Sequence, residues 1–362
     1  MANSGSLSTS GDALKTASAL DLFVADLQQT YIDFSAERQL FSSADKIERY
    51  LFAALYLARS GNGLAKETND TSGVIDRLNK VDAYLSFCED LMINDKISLQ
   101  SSSSGLKVNA RADLLITHTS ATPLSTTGFI VSPNAGAKLT TTALMPFGTL
   151  TASAPGGTTQ YELANVTVTV NGRAAALLMV SPTQINFTVP SGTAGGLVEI
   201  LVTSRQGFIT HGTAAVTGLN PTIFGRTGQT SDVGAVLDAV GFQSSIFPVT
   251  GVGMFLPDFR TRLTILTSGI STGVANTNTT NDVLLGNGHI IANLAESVTV
   301  EARASNGGVF TLPVEFAGMQ GTLAGLDQVN VVLVPELRGA GSVQLTLIVN
   351  GVRSNTMRIT LQ

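Results

Sequence analysis

The first proline in the chain is Pro123, and all 11 prolines lie between it and Pro335; 31 of the 36 glycines also follow residue 100. Proline removes a backbone donor, and both residue types damage helix interiors while punctuating strands and turns. Residues 1–100 are therefore free to form long helices, whereas the remainder must be cut into short elements. Charge divides at the same place. Residues 1–100 carry 14 Asp+Glu against 9 Lys+Arg, and the rest balances at 12 against 12, so the net charge of −5 belongs wholly to the first segment. The run Ser101 to Ser104, closed by Gly105, has the composition of a flexible linker over 101–105.

The first segment reads as helices by period. Leu20, Phe23, Val24, Leu27, Tyr31 and Phe34 recur at steps of three and four and line one helix face. A second helix is expected after Ser42, with Asp45 as its capping-box partner and Ile47, Tyr50, Leu51, Ala54, Leu55 and Ala58 as its stripe. A third, starting after Thr71 and Ser72, carries Val74, Leu78, Val81, Leu85, Cys88 and Met92. This predicts a small antiparallel three-helix bundle, with Cys88 as a core thiol. The same spacing also permits a coiled coil with another chain.

Beyond residue 105 the period falls to two. Val166, Val168 and Val170 alternate with Thr167 and Thr169, and the run ends in Asn171-Gly172, a pair suited to the positive φ angles of a tight hairpin. Asn350-Gly351 repeats the device near the C-terminus. Short Val/Thr/Ile/Leu-rich strands between Gly and Pro indicate antiparallel β-sandwiches, and no helix-length segment separates them as a parallel α/β fold would require. The expected fold is mainly β with an α segment: helices over 1–100, a first sandwich lobe over 106–218 and a second over 219–362.

Two lobes are indicated by an internal repeat. Gln184-Ile-Asn-Phe-Thr-Val-Pro190 recurs as Gln328-Val-Asn-Val-Val-Leu-Val-Pro335, and each copy is followed by a glycine-containing turn and another strand. Ile185, Phe187 and Val189 alternate toward a core, and Phe316 sits in a strand pattern that also reads as core. At VTVTVNGRAAALLMVSPTQINFTVPSGTAG (166–195), NPTIFG (220–225), DVGAVLDAVG (232–241), LTILTSGIS (263–271), PVEFAGMQGTLAGLDQVNVVLVP (313–335) and VNGVRSNTMRITLQ (349–362) the chain resembles a family. It is the uncharacterised C-terminal domain of acidobacterial, Solibacter-type, secreted and surface proteins. The resemblance runs from about residue 125 to the last residue. It implies a pair of immunoglobulin-like lobes on an exported protein and no established activity, and it transfers no catalytic residue. Members commonly carry a signal peptide and larger upstream domains, whereas MANSGSLSTSGDALK has no apolar signal core.

Chemistry-bearing motifs are sparse. His118, His211 and His289 stand 93 and 78 residues apart with no HxxxH or HExxH spacing, so only folding could assemble a site from them. One Cys excludes CxxC zinc sites, no GxSxG elbow occurs, and the acidic residues of the β region form no close pair. The loop with Asn276, Asn278, Asn281 and Asp282 is rich in oxygen ligands but lacks the D-x-D-x-D-G pattern of a calcium loop, and turns are the ordinary use of such residues. Asn165, Asn186 and Asn278 begin N-x-S/T triplets, which matter only after passage through a glycosylating pathway. Met254, Phe255, Leu256 and Phe259 form an apolar cluster in a turn-rich stretch and are the interaction candidates.

These patterns bound the function. A chain 43% hydrophobic and 13% charged is too apolar for disorder, and a net charge of −5 offers no basic footprint for nucleic acid. No run of about 18 apolar residues could span a bilayer. With no Trp and only Tyr161 in the β region, the flat aromatic surfaces of many sugar sites are lacking, so a glycan partner is disfavoured. The leading reading is a non-enzymatic structural or adhesive protein of the cell exterior, without cofactor, contacting other surface proteins or copies of itself through sheet edges and loops, as in a surface layer or filament. The second reading is a carbohydrate- or calcium-dependent ligand-binding module of an exported protein; a hydrolase with a scattered triad ranks last.

Overall fold

The computed structural model describes residues 17–41, 43–69, 71–100, 116–123, 130–140, 152–155, 158–226, 229–230, 232–242, 246–250, 258–270, 282–284, 290–321 and 325–362. The expected linker 101–105 lies outside them. Helices α1 (Ala17–Glu37), α2 (Ala44–Glu67) and α3 (Ser72–Gln100) precede every strand. The six apolar positions expected on α1 all face the helical core. α2 exceeds its stripe: Ala53, Tyr56, Leu57, Ser60, Gly61, Asn62, Gly63 and Leu64 are buried too. The reason is its position, with α1 and α3 on one side and the first β lobe on the other. Leu201 and Ile209 of that lobe belong to the same apolar core as the helices, so the segment closes on its own chain. Ser42 of the expected capping box lies outside the described residues. Ser43 occupies the N-cap with no side-chain bond to the cap amides, and Asp45 accepts from Arg38 at 2.5 Å.

Among the described residues, ten strands build the first lobe: β1 (Ile116–Pro123), β2 (Ile130–Val131), β3 (Gly136–Thr140), β4 (Ala152–Ser153), β5 (Val166–Val170), β6 (Arg173–Ala174), β7 (Ala176–Val180), β8 (Gln184–Thr188), β9 (Gly196–Ser204) and β10 (Ile209–Val216). They run in the order β4-β7-β8-β3-β1-β10-β9-β5-β6, with β2 beside β10. β1 joins the two layers. Its first half pairs with β10 in parallel and its last three residues pair with β3 antiparallel, so one strand passes from one sheet of the sandwich to the other. Valines 166, 168 and 170, Ile185, Phe187 and Val189 fill the space between the layers.

The second lobe contains β11 (Thr222–Ile223), β12 (Val236–Asp238), β13 (Ile246–Phe247), β14 (Arg262–Ser268), β15 (Val283–Leu284), β16 (Ile290–Ile291), β17 (Val298–Ala304), β18 (Val309–Leu312), β19 (Val314–Met319), β20 (Asp327–Val332), β21 (Ser342–Val349) and β22 (Val352–Leu361). One sheet runs β11-β14-β20-β19 with β12 on β14, the other β13-β22-β21-β17-β18, and β15 and β16 form a separate hairpin. The sequence repeat has a topological counterpart. The order β10-β9-β5-β6 in the first lobe matches β22-β21-β17-β18 in the second, and β3-β8-β7 matches β14-β20-β19. Even the parallel pairing of β1 with β10 recurs as β13 with β22.

Asn171 (φ 47) with Gly172 (φ 74) and Asn350 (φ 46) with Gly351 (φ 82) form the expected two-residue turns. Phe316 departs from expectation. A register shift between Val314 and Phe316 breaks the alternation, so Ala317 enters the core with Val329 and Val331 while Phe316 is only partly buried and stays outside it.

The lobes meet backbone to backbone. The Gly136 N–H donates to the Gly325 carbonyl at 3.3 Å, and Asn220 Nδ2 donates to the Ile130 carbonyl at 2.7 Å. Gly325 has φ 77, and a Cβ there would stand 2.8 Å from the Gly136 nitrogen; Gly339 has a similar φ of 73 but open space around it. Both carry the left-handed penalty of about 1–2 kcal/mol on substitution by Ala, and only Gly325 adds the clash. Gly325→Ala should thus lower stability by about 1–2 kcal/mol more than Gly339→Ala in urea unfolding; equal losses would mean that the lobes separate without cost.

Candidate functional site

The chain's chemistry-bearing side chains concentrate where the helices lie on the first lobe. The outward face of β5 and β9 presents Thr167, Thr169 and Thr203, and all three are buried under the helical layer. A Thr-rich face covered in this way needs polar partners. Arg77 supplies them to Thr167 and Thr203, while the Thr169 hydroxyl has no partner among the described residues. The Arg77 side chain is fully buried; Nε donates to Thr203 Oγ1 (2.9 Å), Nη1 to the Gly73 carbonyl (2.8 Å) and to Glu162 Oε1 (2.9 Å), and Nη2 to Thr167 Oγ1 (3.0 Å) and the Thr203 carbonyl (3.3 Å). Every guanidinium hydrogen is thereby engaged. Ser60 of α2 adds a 2.6 Å hydroxyl contact to Thr203.

Glu162 holds the second half of the network. Arg205 donates to both of its oxygens, at 2.9 and 2.7 Å, and reaches Asp76 at 3.2 Å and Ser72 at 3.0 Å. The Glu162 carboxylate lies against the first turn of α3, where a Cβ on Gly73 would stand 2.1 Å from Oε2. Only glycine admits it. Burial raises the Glu162 pKa, but hydrogen bonds from Arg205 and the charge of Arg77 outweigh burial and hold it below the usual carboxylate value. Burial pulls the Arg77 guanidinium down, and Glu162 opposes that pull.

A rim of aromatic groups lies farther along the same face. Tyr56 of α2 stacks on His211 with ring centres 4.9 Å apart, Phe52 meets the same imidazole edge-on at 6.4 Å, and the Tyr56 hydroxyl donates to Glu199. Burial, then the Glu199 charge, pushes the Tyr56 hydroxyl well above its ordinary pKa. Tyr84 of α3 donates to the Gly207 carbonyl at 3.2 Å.

The sequence candidates are scattered by comparison. Met254, Phe255, Leu256, Asn276, Asn278, Asn281 and His289 lie outside the described residues. Phe259 is 50% exposed. Asp282 accepts from the Asn293 backbone N–H at 3.1 Å. Cys88 is buried beside the Ile47 carbonyl, and burial pushes its thiol up to about 12, a value that keeps it protonated and unreactive. Arg77, Glu162 and Arg205 were not anticipated. A signal for the first existed: Arg77 follows Val74 by three residues and precedes Val81 by four, so a charge stands on the apolar stripe.

No family model matches the sequence, and no curated protein matches it. Solved structures with some likeness include a Bacteroides ovatus mixed-linkage glucan utilization locus protein, SGBP-B, in complex with a mixed-linkage heptasaccharide (14% identity, TM-score 0.26, 68% of this chain and 45% of that one). Bovine butyrophilin (8%, TM-score 0.18, 68% and 98%) and the plexin A4 extracellular region (8%, TM-score 0.20, 67% and 18%) are also similar in part. The chain thus spans less than half of the glucan-locus protein. TM-scores of this size do not define a shared fold, and what those proteins bind is not transferred to this one.

Removing one member of a buried charged network leaves the others unpaired, at a cost of about 3–5 kcal/mol. Arg77→Ala should cost that much in urea unfolding, and Gly73→Ala should lower stability by about 2 kcal/mol through displacement of Glu162. Acid should act through Glu162. Its folded pKa lies below its unfolded value of about 4.3, so its contribution is complete above that value and is lost as pH falls through the folded pKa. A near-ultraviolet circular dichroism change of the tyrosines below about pH 4, absent from Glu162→Gln, checks the assignment.

Proposed function

We propose that the chain is a non-enzymatic structural or adhesive protein of the cell exterior that works by contact with copies of itself. Phe242 carries this reading. It is 70% exposed, and its backbone sits at φ 52, a left-handed conformation that is strained for a bulky aromatic. Asp238 fixes the turn, accepting from the Val240 and Gly241 amides through its side chain and from the Phe242 amide through its carbonyl. The fold bears strain to hold an apolar ring in solvent, and backbone strain of this kind concentrates at functional positions. Val240 and Ile246 are exposed nearby in sequence, and the Ala239 N–H bond to the Arg262 carbonyl sets this turn beside the strand that follows Phe259. The location at the cell exterior rests on the family resemblance of residues 125–362.

Sedimentation velocity over a concentration series, with electron micrographs of the same material, tests the reading. The expected outcome is association beyond the 37.5 kDa monomer, weakened by Phe242→Asn. Because Asn tolerates the left-handed region, that variant should unfold at the same or slightly higher urea concentration, by up to about 1 kcal/mol. A chain that stays monomeric at the highest concentration, or associates equally well as Phe242→Asn, overturns the proposal.

A further inference from the structure

The duplicated plan leaves one sheet face open. In the first lobe the outward face of β5, β9 and β10 lies under α2 and α3, and its counterpart in the second lobe is the outward face of β17, β21 and β22. Among the described residues no α-helix covers that counterpart, and Thr299, Arg303, Thr311, Gln344 and Thr356 are exposed on it. Register places them on one side: Glu301 stands opposite Thr311 and Thr346, and Thr346 opposite Thr356, while Val300, Leu345 and Met357 alternate into the core. At the β13 edge Ile246, 58% exposed, pairs with Thr360 and extends the face, four residues after Phe242. The strands of this sheet carry three arginines, Arg303, Arg353 and Arg358, against the one carboxylate of Glu301.

α1 has a surface of the opposite kind. Its inner side packs on the helical core through Leu20, Leu27 and Phe34. The other side carries Leu22, Ala25, Gln29, Ile32 and Ala36, all exposed, with Leu22 at 72% and Ile32 at 51%. Steps of three and four between them are the a and d spacing of a helix that packs on a neighbour. α1 also holds four carboxylates, Asp21, Asp26, Asp33 and Glu37, and no basic residue.

We infer that the outward face of β17, β21 and β22 receives α1 of a second copy of this chain; the inference rests on the self-contact reading above and names its two surfaces. Opposite charge on the two surfaces steers the encounter and fixes its orientation. The same face in the first lobe already seats helices, so the sheet is of a kind this fold uses as a platform. Dimensions agree, since the 21 residues of α1 run about 32 Å and the ten of β22 about 33 Å. Pairing of α1 with α1 is opposed by like charge on both helices. Because the two surfaces differ, the contact is heterologous and repeats into an open row of subunits.

Sedimentation velocity of two full-chain variants, alone and mixed, tests the pairing. Ile32→Arg spoils the α1 surface and Arg303→Glu the sheet surface; both positions are exposed, so both variants should unfold at the urea midpoint of the unaltered chain. Each alone should associate at least about tenfold more weakly. An equimolar mixture retains one intact surface of each kind and should form a 1:1 complex of about twice the 37.5 kDa monomer that grows no further. Association that survives both substitutions, association lost in Ile32→Arg alone, or a mixture that forms no 1:1 complex would overturn the pairing and leave self-contact standing. An unaltered chain that stays monomeric overturns the self-contact reading, and the pairing with it.

Discussion

The burial of one guanidinium organises the molecule. Arg77 sits between α3 and the outer face of the first lobe with no exposed surface, and an ion in that position is tolerable only when every hydrogen finds an acceptor. That requirement reaches into four segments: Thr167 on β5, Thr203 on β9, Glu162 in the loop before β5, and Gly73 in the first turn of α3. Thr167 and Thr203 are themselves register partners, so the sheet presents its two hydroxyls as a pair. Shifting β5 by one residue would turn Thr167 away and set a valine in its place, leaving the guanidinium with Thr203 alone of the two hydroxyls. Register, helix position and charge pairing are thus one constraint.

The duplicated plan shows what the helices add. β5 reads Val-Thr-Val-Thr-Val and its counterpart β17 begins Val-Thr-Val-Glu-Ala, so the two share a pattern. In β5 all five residues are buried, whereas in β17 the first, third and fifth are buried, Thr299 is exposed and Glu301 is partly exposed. The difference lies on the outward face. On the first lobe it meets α2 and α3; on the second it carries the exposed Glu301–Arg353 pair, of the kind that contributes little to stability in water. The same strand grammar therefore makes the middle layer of a three-layer structure in one lobe and a solvated wall in the other.

Much of this was legible in the residues. The helical stripes, the two Asn-Gly turns, the sandwich class and the repeat follow from local rules of period and φ preference, and those rules act within a few residues. Phe316 escaped because one added residue, Glu315, inverts the alternation, and a bulge leaves no mark in an apolar-polar string. The polar network escaped for a different reason. Arg77, Glu162 and Arg205 lie far apart in sequence; Glu162 and Arg205 taken singly read as surface charges, and Arg77, though it stands on an apolar stripe, names no partner. His118 and His211 were visible as histidines, but only the parallel pairing of β1, a long-range contact across the whole lobe, makes them register partners.

The charge distribution acquires a structural meaning from the same interface. The helical segment carries the whole net charge, yet where it touches the neutral lobe the charges cancel: Arg77 and Arg205 stand against Glu162 and Asp76. Two of the four come from the helices and two from the lobe, one of each sign on each side. Glu162 and Arg205 each have two opposite charges within contact distance, which offsets part of the cost of desolvating the group. The group also discriminates. A helix pair sliding by one turn, about 5.4 Å, would carry Arg77 off Glu162 and leave both charges without their partner, so the interface rejects neighbouring registers that its apolar contacts alone, Leu201 and Ile209 against α2, would accept.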